Sequence, residues 1–278
     1  NLVKFNDKSF NFSRGYLELT RKIKKLDIYF RYSPDNNLWN STGSWKRIIP
    51  NIDKKTLITV CLISLKNSIL QFLSNNKLDV TINLIADNSS KAFDEKITNI
   101  LKSDKINVIN INSKINGNRG SYLECCDQAE KADDLIFFVE DDYLHFEPMM
   151  EEMIASYERI ASQLKKDLFM CPADYPYLYV NNEKTNILIG NKRHWRTINQ
   201  SLCTFMTTKS LLDKYWSNFH NNCLDRHEPF EKYLNELYTK EFCLSPLKSL
   251  SLHVTNVNSS YGLSPFIDYK KLWDESKY

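Results

Sequence analysis

Short apolar runs rich in β-forming residues alternate with helix-like segments over residues 56–164, and this alternation limits the fold more than any other feature. The order is strand 56–64, helix 69–75, strand 80–86, helix 93–102, strand 106–111, helix 121–131, strand 135–139 and helix 148–164. Strands and helices at this spacing indicate βαβ crossovers. We therefore predict an α/β fold with a mixed, mostly parallel sheet flanked by helices.

The rest of the chain is less regular. We predict strands at 168–171, 186–189 and 202–207 and helices at 211–219 and 229–238. Because no internal repeat or low-complexity linker is visible, we predict one domain over residues 51–278, with residues 1–50 as an N-terminal extension packed on it. Since the first residue is Asn1 and not a methionine, we expect the chain to be part of a longer protein.

The charge balance and the glycine content exclude several kinds of ligand. The 278 residues include 37 Lys and Arg against 34 Asp and Glu, a formal net charge of +3. So small an excess does not indicate a nucleic-acid partner, and we predict none. Only six glycines occur, and they form no GxGxxG or GxxxxGKS/T loop, which excludes the usual fingerprints of Rossmann dehydrogenases and P-loop NTPases.

The cysteines and the apolar runs bear on where the protein resides. The seven cysteines form no CxxC pair, and their odd number favours free buried thiols in a reducing compartment over a disulfide framework. The longest apolar runs, at 57–65 and 135–139, are shorter than a membrane span, and no signal peptide is visible. We therefore predict a cytoplasmic chain with no transmembrane segment; a peripheral position at a membrane surface is the alternative.

Three carboxylates in a row directly follow the predicted strand 135–139. Glu140, Asp141 and Asp142 would lie at the carboxyl end of that strand, where open α/β sheets bind their ligands. Adjacent carboxylates repel one another unless a cation or a donor intervenes, and Mg²⁺ or Mn²⁺ takes oxygen ligands of this kind. A solvated acidic turn that caps the next helix is the alternative, and from the residues alone both interpretations stay open.

The sequence around these carboxylates resembles a known enzyme superfamily. The run 135–144, Leu-Ile-Phe-Phe-Val-Glu-Asp-Asp-Tyr-Leu, resembles the DxD region of GT-A glycosyltransferases, the nucleotide-sugar-dependent enzymes. Its Glu-Asp-Asp form is similar to that of N-acetylglucosaminyltransferase I and its relatives. Residues 85–90 resemble the acidic turn that contacts the nucleoside, and residues 116–120 resemble the loop before the DxD strand. The resemblance implies a GT-A-like, Rossmann-type sheet.

The resemblance also implies roles for residues on the donor side. Asp142 would bind the metal ion, Mn²⁺ or Mg²⁺, directly. Glu140 and Asp141 would contact ribose or sugar hydroxyls. Asp87, with its neighbour Asn88, would approach the base or the ribose.

Two further roles fall on the second half of the chain. GT-A enzymes usually carry an acidic residue at the start of a later helix to deprotonate the acceptor, and Glu228, just before Pro229, is the first choice here, with Asp225 and Glu231 next. The alternative is that Glu228 only caps the helix. Many GT-A enzymes also supply a late histidine to the metal or the diphosphate, and His253 is the matching residue; a lone histidine on a strand is otherwise a packed or surface residue.

A basic segment at residues 191–196, Asn-Lys-Arg-His-Trp-Arg, is a candidate for the diphosphate. It could form a mobile lid in which Arg193 and Arg196 neutralise the leaving group, or it could be a solvated turn; RNA binding has little support in a near-neutral chain. Arg119 is a second candidate for the diphosphate. Nearby aromatic residues could form a sugar-stacking acceptor wall or could pack in the core: Tyr175, Tyr177, Tyr179 and Trp195.

The resemblance as a whole implies a metal-dependent glycosyltransferase, a hexosyl- or pentosyltransferase. It would move a sugar from a nucleoside-diphosphate sugar to a hydroxyl of a glycan or glycoconjugate, by an inverting displacement, in polysaccharide or glycoconjugate assembly. An Mg²⁺-dependent nucleotidyltransferase is the enzymatic alternative, although the lack of a glycine-rich phosphate loop counts against it. A non-catalytic carbohydrate-binding domain is the other alternative.

Overall fold

The computed structural model describes residues 18–35, 52–180, 184–224, 229–255 and 267–277. The strands are β1 (Lys25–Tyr32), β2 (Asp79–Ala86), β3 (Asn107–Asn112), β4 (Leu135–Glu140), β5 (Tyr143–His145), β6 (Phe169–Met170), β7 (Ile187–Ile189), β8 (His194–Thr197), β9 (Phe205–Thr208), β10 (Cys243–Pro246) and β11 (Ser251–His253). The helices are α1 (Lys54–Asn75), α2 (Lys91–Leu101), α3 (Asn118–Ala129), α4 (Met149–Leu164), α5 (Lys209–Lys214), α6 (Trp216–Leu224), α7 (Lys232–Tyr238) and α8 (Tyr269–Glu275), with a 3₁₀ helix at Pro176–Val180.

A nine-stranded sheet forms the centre, in the order β3-β2-β1-β4-β9-β6-β10-β8-β7. β3, β2, β1 and β4 pair in parallel, and so do β6 and β10. β9 and β8 run in the opposite direction, because each pairs antiparallel with both of its neighbours. The predicted α/β fold with a mixed, mostly parallel sheet is thus confirmed. β5 and β11 form a separate antiparallel pair.

Helices cover both faces of the sheet, and each face has its own apolar core. Successive residues of β1 alternate between the two: Ile28 and Phe30 pack with α1, α2 and α4, while Tyr29 packs with α3, α6 and α7. The seven cysteines are free and buried, as predicted.

β1 lies in the middle of the sheet, between β2 and β4, and not on its surface. Residues 25–32 are therefore not part of an extension, and a domain boundary at residue 50 would cut the sheet. All of β1 after Lys25 is buried, as is typical of a parallel strand that is covered on both faces. The sequence analysis missed it because Asp27 and Arg31 interrupt the apolar run, although both side chains are buried.

The predicted strand at 56–64 is wrong, because these residues belong to α1. Buried residues occur from Leu57 to Leu73 of this 22-residue helix, a stretch too long for one strand. α1 begins after Asp53, whose carboxylate accepts a hydrogen bond from the Thr56 N–H at 2.9 Å. Strand-forming side chains are tolerated here because packing in the core outweighs intrinsic helix propensity.

Within the described residues, α1 is also the one helix long and apolar enough to cross a membrane. Of its most apolar stretch, 61% is buried inside the protein. Leu62 and Leu65 are fully buried in the core that α1 shares with the sheet. These contacts are those of a core helix, which meets the same criteria of length and composition.

α3 begins earlier than predicted, at Asn118. The preceding Gly117 has a φ of 95°, which favours glycine. Ser121 is therefore not the first residue of the helix, and its hydroxyl donates to the Gly117 carbonyl oxygen at 3.1 Å. Glu124, three residues later, is buried within α3. The predicted helix at 211–219 is divided between α5 and α6.

Candidate functional site at the acidic strand end

The carboxyl ends of β1 and β4 bring charged residues from distant parts of the chain together. β1 and β4 are parallel neighbours, and Arg31 lies directly opposite Glu140. Asp141 and Asp142 follow as the chain turns from β4 into β5. Because open α/β sheets bind ligands beyond the carboxyl ends of their strands, this edge is the first candidate for a functional site. We call Glu140, Asp141 and Asp142 the acidic strand end.

Arg31 holds Glu140 in an ion pair. The Arg31 side chain is buried, and its guanidinium donates to the Glu140 carboxylate and to the side chain of Asn118 at the start of α3. It also lies 5.6 Å from the centre of the Tyr122 ring. Burial raises the pKa of Glu140 to about 7, because the charge of Arg31 offsets only part of the desolvation.

Asp141 is held by α1 and by the residue after β1. One of its oxygens accepts from the Lys54 ammonium at 2.5 Å, and the other accepts from the Ser33 N–H at 2.9 Å. Burial by itself would lower the pKa of Lys54, but the carboxylates of Asp141 and Asp142 outweigh burial and raise it. Lys54 is therefore charged at neutral pH, and both oxygens of Asp141 already have protein partners.

Asp142 meets His253, which lies 111 residues later in the chain. Nε2 of His253 is 3.1 Å from Oδ2 of Asp142, and the Thr255 hydroxyl donates to the same oxygen. The β5–β11 pair produces this contact, because it sets Tyr143 opposite His253, and their rings stack with centroids 4.7 Å apart. Oδ1 of Asp142 is buried and has no hydrogen-bond partner in the described part of the chain.

Asp142 and His253 shift each other's pKa. Burial alone would raise the pKa of Asp142 and lower that of His253. The ion pair outweighs burial on both sides, so the pKa of Asp142 is lowered and that of His253 is raised, with a further contribution from the Glu140 carboxylate. Each group therefore favours the charged form of the other, and a metal ion held at Nε2 of His253 would take the place of its proton.

Glu140, Asp142 and His253 could together hold a divalent metal ion. One ligand atom from each lies within 4.8 Å of the other two. Adjacent ligands of an octahedral Mg²⁺ or Mn²⁺ ion lie about 3 Å apart, given metal–ligand distances of about 2.1 Å, and the 3.1 Å between Asp142 and His253 agrees with this spacing. The buried, unpartnered Oδ1 of Asp142 also fits, since such an atom is costly unless a ligand binds it.

The residues predicted to contact the nucleoside have protein partners. Asp87 is buried, and its two oxygens accept from the Gly117 N–H at 3.0 and 3.1 Å, which ties the end of β2 to the start of α3. Asn88 has a φ of 49° and donates to the Asp35 carbonyl oxygen at 3.2 Å. Arg119 is exposed and donates to the last residue of α6. Contact of these residues with a donor stays a prediction.

The basic segment, residues 191–196, is not a free lid. Its second half is β8, which pairs with β7 and β10. Trp195 is fully buried, and Arg196 is buried in an ion pair with Asp174 at 3.0 Å. Arg193 donates to a backbone carbonyl oxygen at 2.5 Å. The predicted mobile lid is therefore wrong for Arg196, because β8 is paired on both sides and Asp174 holds the Arg196 side chain.

The four aromatic residues proposed as an acceptor wall do not form one continuous surface. Trp195 and Tyr175 are buried, and the Tyr175 hydroxyl shares a 2.6 Å hydrogen bond with that of Tyr143. Tyr177 is partly buried. Only Tyr179 among the four is exposed, at 54%. Core packing, the alternative interpretation, holds for Trp195 and Tyr175.

Glu231 supports a turn and is not an accessible base. It is 4% exposed, and its carboxylate accepts from the N–H groups of Ser201 at 3.1 Å and Cys203 at 2.9 Å. This turn needs support, because Leu202 and Cys203 have φ of 49° and 56°, the left-handed region that side chains disfavour. Burial raises the pKa of Glu231, and the turn's hydrogen bonds offset part of that rise. The other candidate bases lie outside the described residues: Asp225 and Glu228.

Sequence reasoning missed three residues of the site. Arg31 lies in the segment assigned to an extension, and Lys54 precedes a run interpreted as a strand. Thr255 did carry a signal, because residues two apart on an extended strand point to the same side, which places its hydroxyl beside His253 at 3.2 Å from Nε2.

Comparisons with known proteins identify the fold and no family. No protein-family model matches the chain, and no curated protein matches it. Among solved structures, Staphylococcus aureus TarS 1–349 in complex with UDP-GlcNAc has a TM-score of 0.50 at 10% identity, covering 82% of this chain and 57% of that one.

Two further solved structures have similar TM-scores. The inositol-1-phosphate CTP transferase from T. maritima has a TM-score of 0.49 at 13% identity and covers 93% of this chain and 98% of that one. The glycosyltransferase GlyE of Streptococcus pneumoniae TIGR4 has a TM-score of 0.48 at 10% identity and covers 91% and 60%. Identities this low concern the fold alone.

Proposed function

We propose that this chain is a divalent-metal-dependent glycosyltransferase that moves a sugar from a nucleoside-diphosphate sugar to a hydroxyl of a glycan or glycoconjugate. The observation that carries the proposal is the convergence of Glu140, Asp142 and His253 at the carboxyl edge of the sheet. A late histidine beside the last carboxylate of a Glu-Asp-Asp run is the arrangement that the GT-A resemblance implies. The fold of TarS, solved with UDP-GlcNAc, is compatible with a nucleotide-sugar donor.

Asp142 and His253 would hold Mn²⁺ or Mg²⁺, with Glu140 as a further ligand. The ion would supply positive charge against the diphosphate leaving group. Arg31 and Lys54 would orient the site, because they hold Glu140 and Asp141 and so limit the rotation of the strand end. Thr255 would hold Oδ2 of Asp142 toward His253.

The acceptor hydroxyl needs a base on the face opposite the departing diphosphate in an inverting transfer. Glu228 remains the proposed base, and Asp225 the second choice. Glu228→Gln should lower turnover roughly 10²–10⁴-fold with donor affinity nearly unchanged. If Glu228→Gln and the matching Asp225→Asn both keep full turnover, a retaining mechanism gains support.

Calorimetric titration with UDP, GDP, CDP and ADP tests the metal site without knowledge of the sugar. In the presence of Mn²⁺ at least one nucleotide should bind, and EDTA should abolish binding. Asp142→Asn should weaken metal-dependent binding roughly 100-fold, whereas Asp133→Asn, a control at a side chain 74% exposed, should not. Equal affinity in Asp142→Asn and the wild type would remove the metal assignment.

Assays on the purified protein distinguish the glycosyltransferase from the two alternative functions. Release of pyrophosphate from CTP or UTP in the presence of a sugar phosphate would identify a nucleotidyltransferase, since that reaction starts from a triphosphate. Binding of oligosaccharides without any metal or nucleotide requirement would indicate a non-catalytic carbohydrate-binding domain. Hydrolysis or transfer from a nucleoside-diphosphate sugar with Mn²⁺ supports the proposed function.

A further inference from the structure

A second polar region lies beside the start of α4. It is a cavity of about 480 Å³, and its ionisable lining residues are Glu151, Glu152, Lys192, Arg193, His194 and Lys248. We call it the basic cavity. Residues 192–194 of the basic segment line this cavity.

The two carboxylates of the basic cavity are already satisfied by protein donors. Glu152 is 2% exposed and accepts from the Lys192 N–H at 2.9 Å, from the Ser156 hydroxyl at 2.8 Å and from the Trp195 indole at 3.4 Å. Glu151 accepts from the Lys192 ammonium at 2.8 Å. Glu151 therefore pairs with Lys192, and the charge of Glu152 offsets only part of what remains, so the three lining cations Lys192, Arg193 and Lys248 outnumber the two carboxylates.

The cations of the cavity are not satisfied in the same way. The Arg193 guanidinium donates to the Lys248 carbonyl oxygen at 2.5 Å, and no carboxylate of the described residues lies within ion-pair distance of Arg193 or Lys248. Burial lowers the pKa of Arg193, with only a partial offset from Glu152. Lys248 has a φ of 73°, so its backbone is held in a disfavoured turn that points its carbonyl oxygen at Arg193.

We propose that the basic cavity binds a phosphate group, held by the Arg193 guanidinium and the Lys248 ammonium. A planar guanidinium can donate two parallel hydrogen bonds to phosphate, and a lysine adds a point charge. A bound phosphate would neutralise the positive charge that the two carboxylates of the cavity leave uncompensated.

This phosphate would be separate from the diphosphate of a donor bound at Asp142. The cavity adjoins Lys248, just after β10, and Asp142 lies just after β4, so both lie at the carboxyl edge of the sheet. β9 and β6 separate β4 from β10, which puts the two strands about 14 Å apart. The phosphate therefore belongs to another ligand, either a soluble phosphorylated molecule or a lipid headgroup, and the inference does not depend on the proposed function.

Titration of the whole chain with inorganic phosphate tests the inference. We expect Arg193→Gln to weaken binding at least 10-fold and Lys248→Gln, a change at an exposed side chain, about 3-fold or more. The control is the double variant Lys77→Gln/Lys105→Gln, which removes two positive charges from a second lysine-lined cavity and should change affinity less than twofold. Asp142→Asn should bind phosphate like the wild type, which separates this site from the metal site.

Vesicles distinguish the two sources of phosphate. If the protein binds phosphatidylglycerol vesicles but not phosphatidylcholine vesicles, and Arg193→Gln abolishes this, the proposal holds with a lipid headgroup as ligand. If inorganic phosphate binds in an Arg193-dependent way and the vesicles do not, it holds with a soluble ligand. The proposal is overturned if the wild-type protein binds neither inorganic phosphate nor phosphatidylglycerol vesicles. It is also overturned if Arg193→Gln and Lys248→Gln bind these two ligands with wild-type affinity.

Discussion

The acidic strand end and the basic segment are both short runs of charged residues, but only the first is gathered into one site by the fold. The three carboxylates lie at the end of a strand inside the sheet, so each meets a basic side chain from another element: Arg31, Lys54 and His253. The basic segment belongs to a hairpin near the sheet edge, where β8 pairs with β7. Its side chains separate, with Trp195 in the core, Arg196 in a buried ion pair and Arg193 at a cavity.

The difference shows that position in the sheet, and not the number of charges, decides whether a charge run forms one site. Beyond the carboxyl end of a central strand, the chain is irregular and neighbouring elements converge on it. Within a paired strand, consecutive side chains point to opposite faces. The same substitution made in each region should therefore have different consequences.

The largest expected effect is on stability at the acidic strand end. Arg31→Met leaves Glu140 beside Asp141 and Asp142 without its cation and removes the contact with Asn118. Removing one partner of a buried ion pair costs about 3–5 kcal/mol, so we expect a loss of that size in the free energy of unfolding, measured by urea denaturation.

The double variant Arg31→Met/Glu140→Gln should recover much of that loss, because it removes the uncompensated charge as well. A single variant as stable as the wild type would show that Glu140 is not held by Arg31.

The matched change in the basic segment is Arg196→Met. We expect a smaller loss, about 2–3 kcal/mol, because Asp174 is left without its cation but keeps the Tyr179 hydroxyl as a donor at 2.7 Å. Metal-dependent nucleotide affinity, measured on the folded variant by calorimetry, should stay within twofold of the wild type. A marked fall in that affinity would show that Arg196 contributes to donor binding.

Much of the fold could be predicted from periodicity, and the failures have physical causes. β4 is an almost continuous apolar run, β2 alternates apolar and polar residues in its first half, and α4 has apolar residues at helical spacing. Each was therefore predicted within a few residues. α1 was misassigned because a helix buried on most sides shows no clear helical period. β1 was missed because Asp27 and Arg31, both buried, resemble the residues of a surface segment.

For the candidate site, sequence analysis found the carboxylates but not the cations that hold them. Asp142 and His253 were paired through the GT-A resemblance, and the structure brings them to 3.1 Å. No sequence pattern links Lys54 to Asp141, because that contact depends on where a helix starts relative to a strand 80 or so residues later. The burial of Glu231 also depends on a turn with two left-handed residues, which local propensity does not predict.

Two histidines on the β5–β11 pair extend the comparison to single residues. His253 faces a carboxylate, and its pKa is raised. His145 is buried with Nδ1 2.7 Å from the Ser251 hydroxyl, and burial lowers its pKa to about 3. Below pH 6.5 the unfolded chain therefore binds a proton at His145 that the folded chain does not, so this residue destabilises the fold as pH falls from 6.5 toward 3.

The measurement is urea unfolding of the wild type and His145→Asn at pH 7 and pH 5. Between pH 7 and pH 5, the free energy of unfolding should fall by about 2 kcal/mol more in the wild type than in the variant. The acidic residues titrate in both proteins, so their contribution cancels in this comparison. Equal losses would mean that His145 is protonated in the folded state.

The smallest expected effect concerns the helix starts beside the two regions. At the acidic strand end, α1 starts after Asp53, whose carboxylate accepts hydrogen bonds from Thr56. α4, beside the basic cavity, starts after Pro148 and has no side-chain cap. Asp53→Ala should cost about 1 kcal/mol in unfolding free energy and should let the first turn of α1 fray. Because Lys54 lies in that turn, its pair with Asp141 should loosen and metal-dependent nucleotide affinity should fall a few-fold. Ser90→Ala, which removes the cap of α2, is the control: it should cost no more stability and leave that affinity unchanged. If the two variants have the same affinity, the position of Lys54 does not depend on the helix cap.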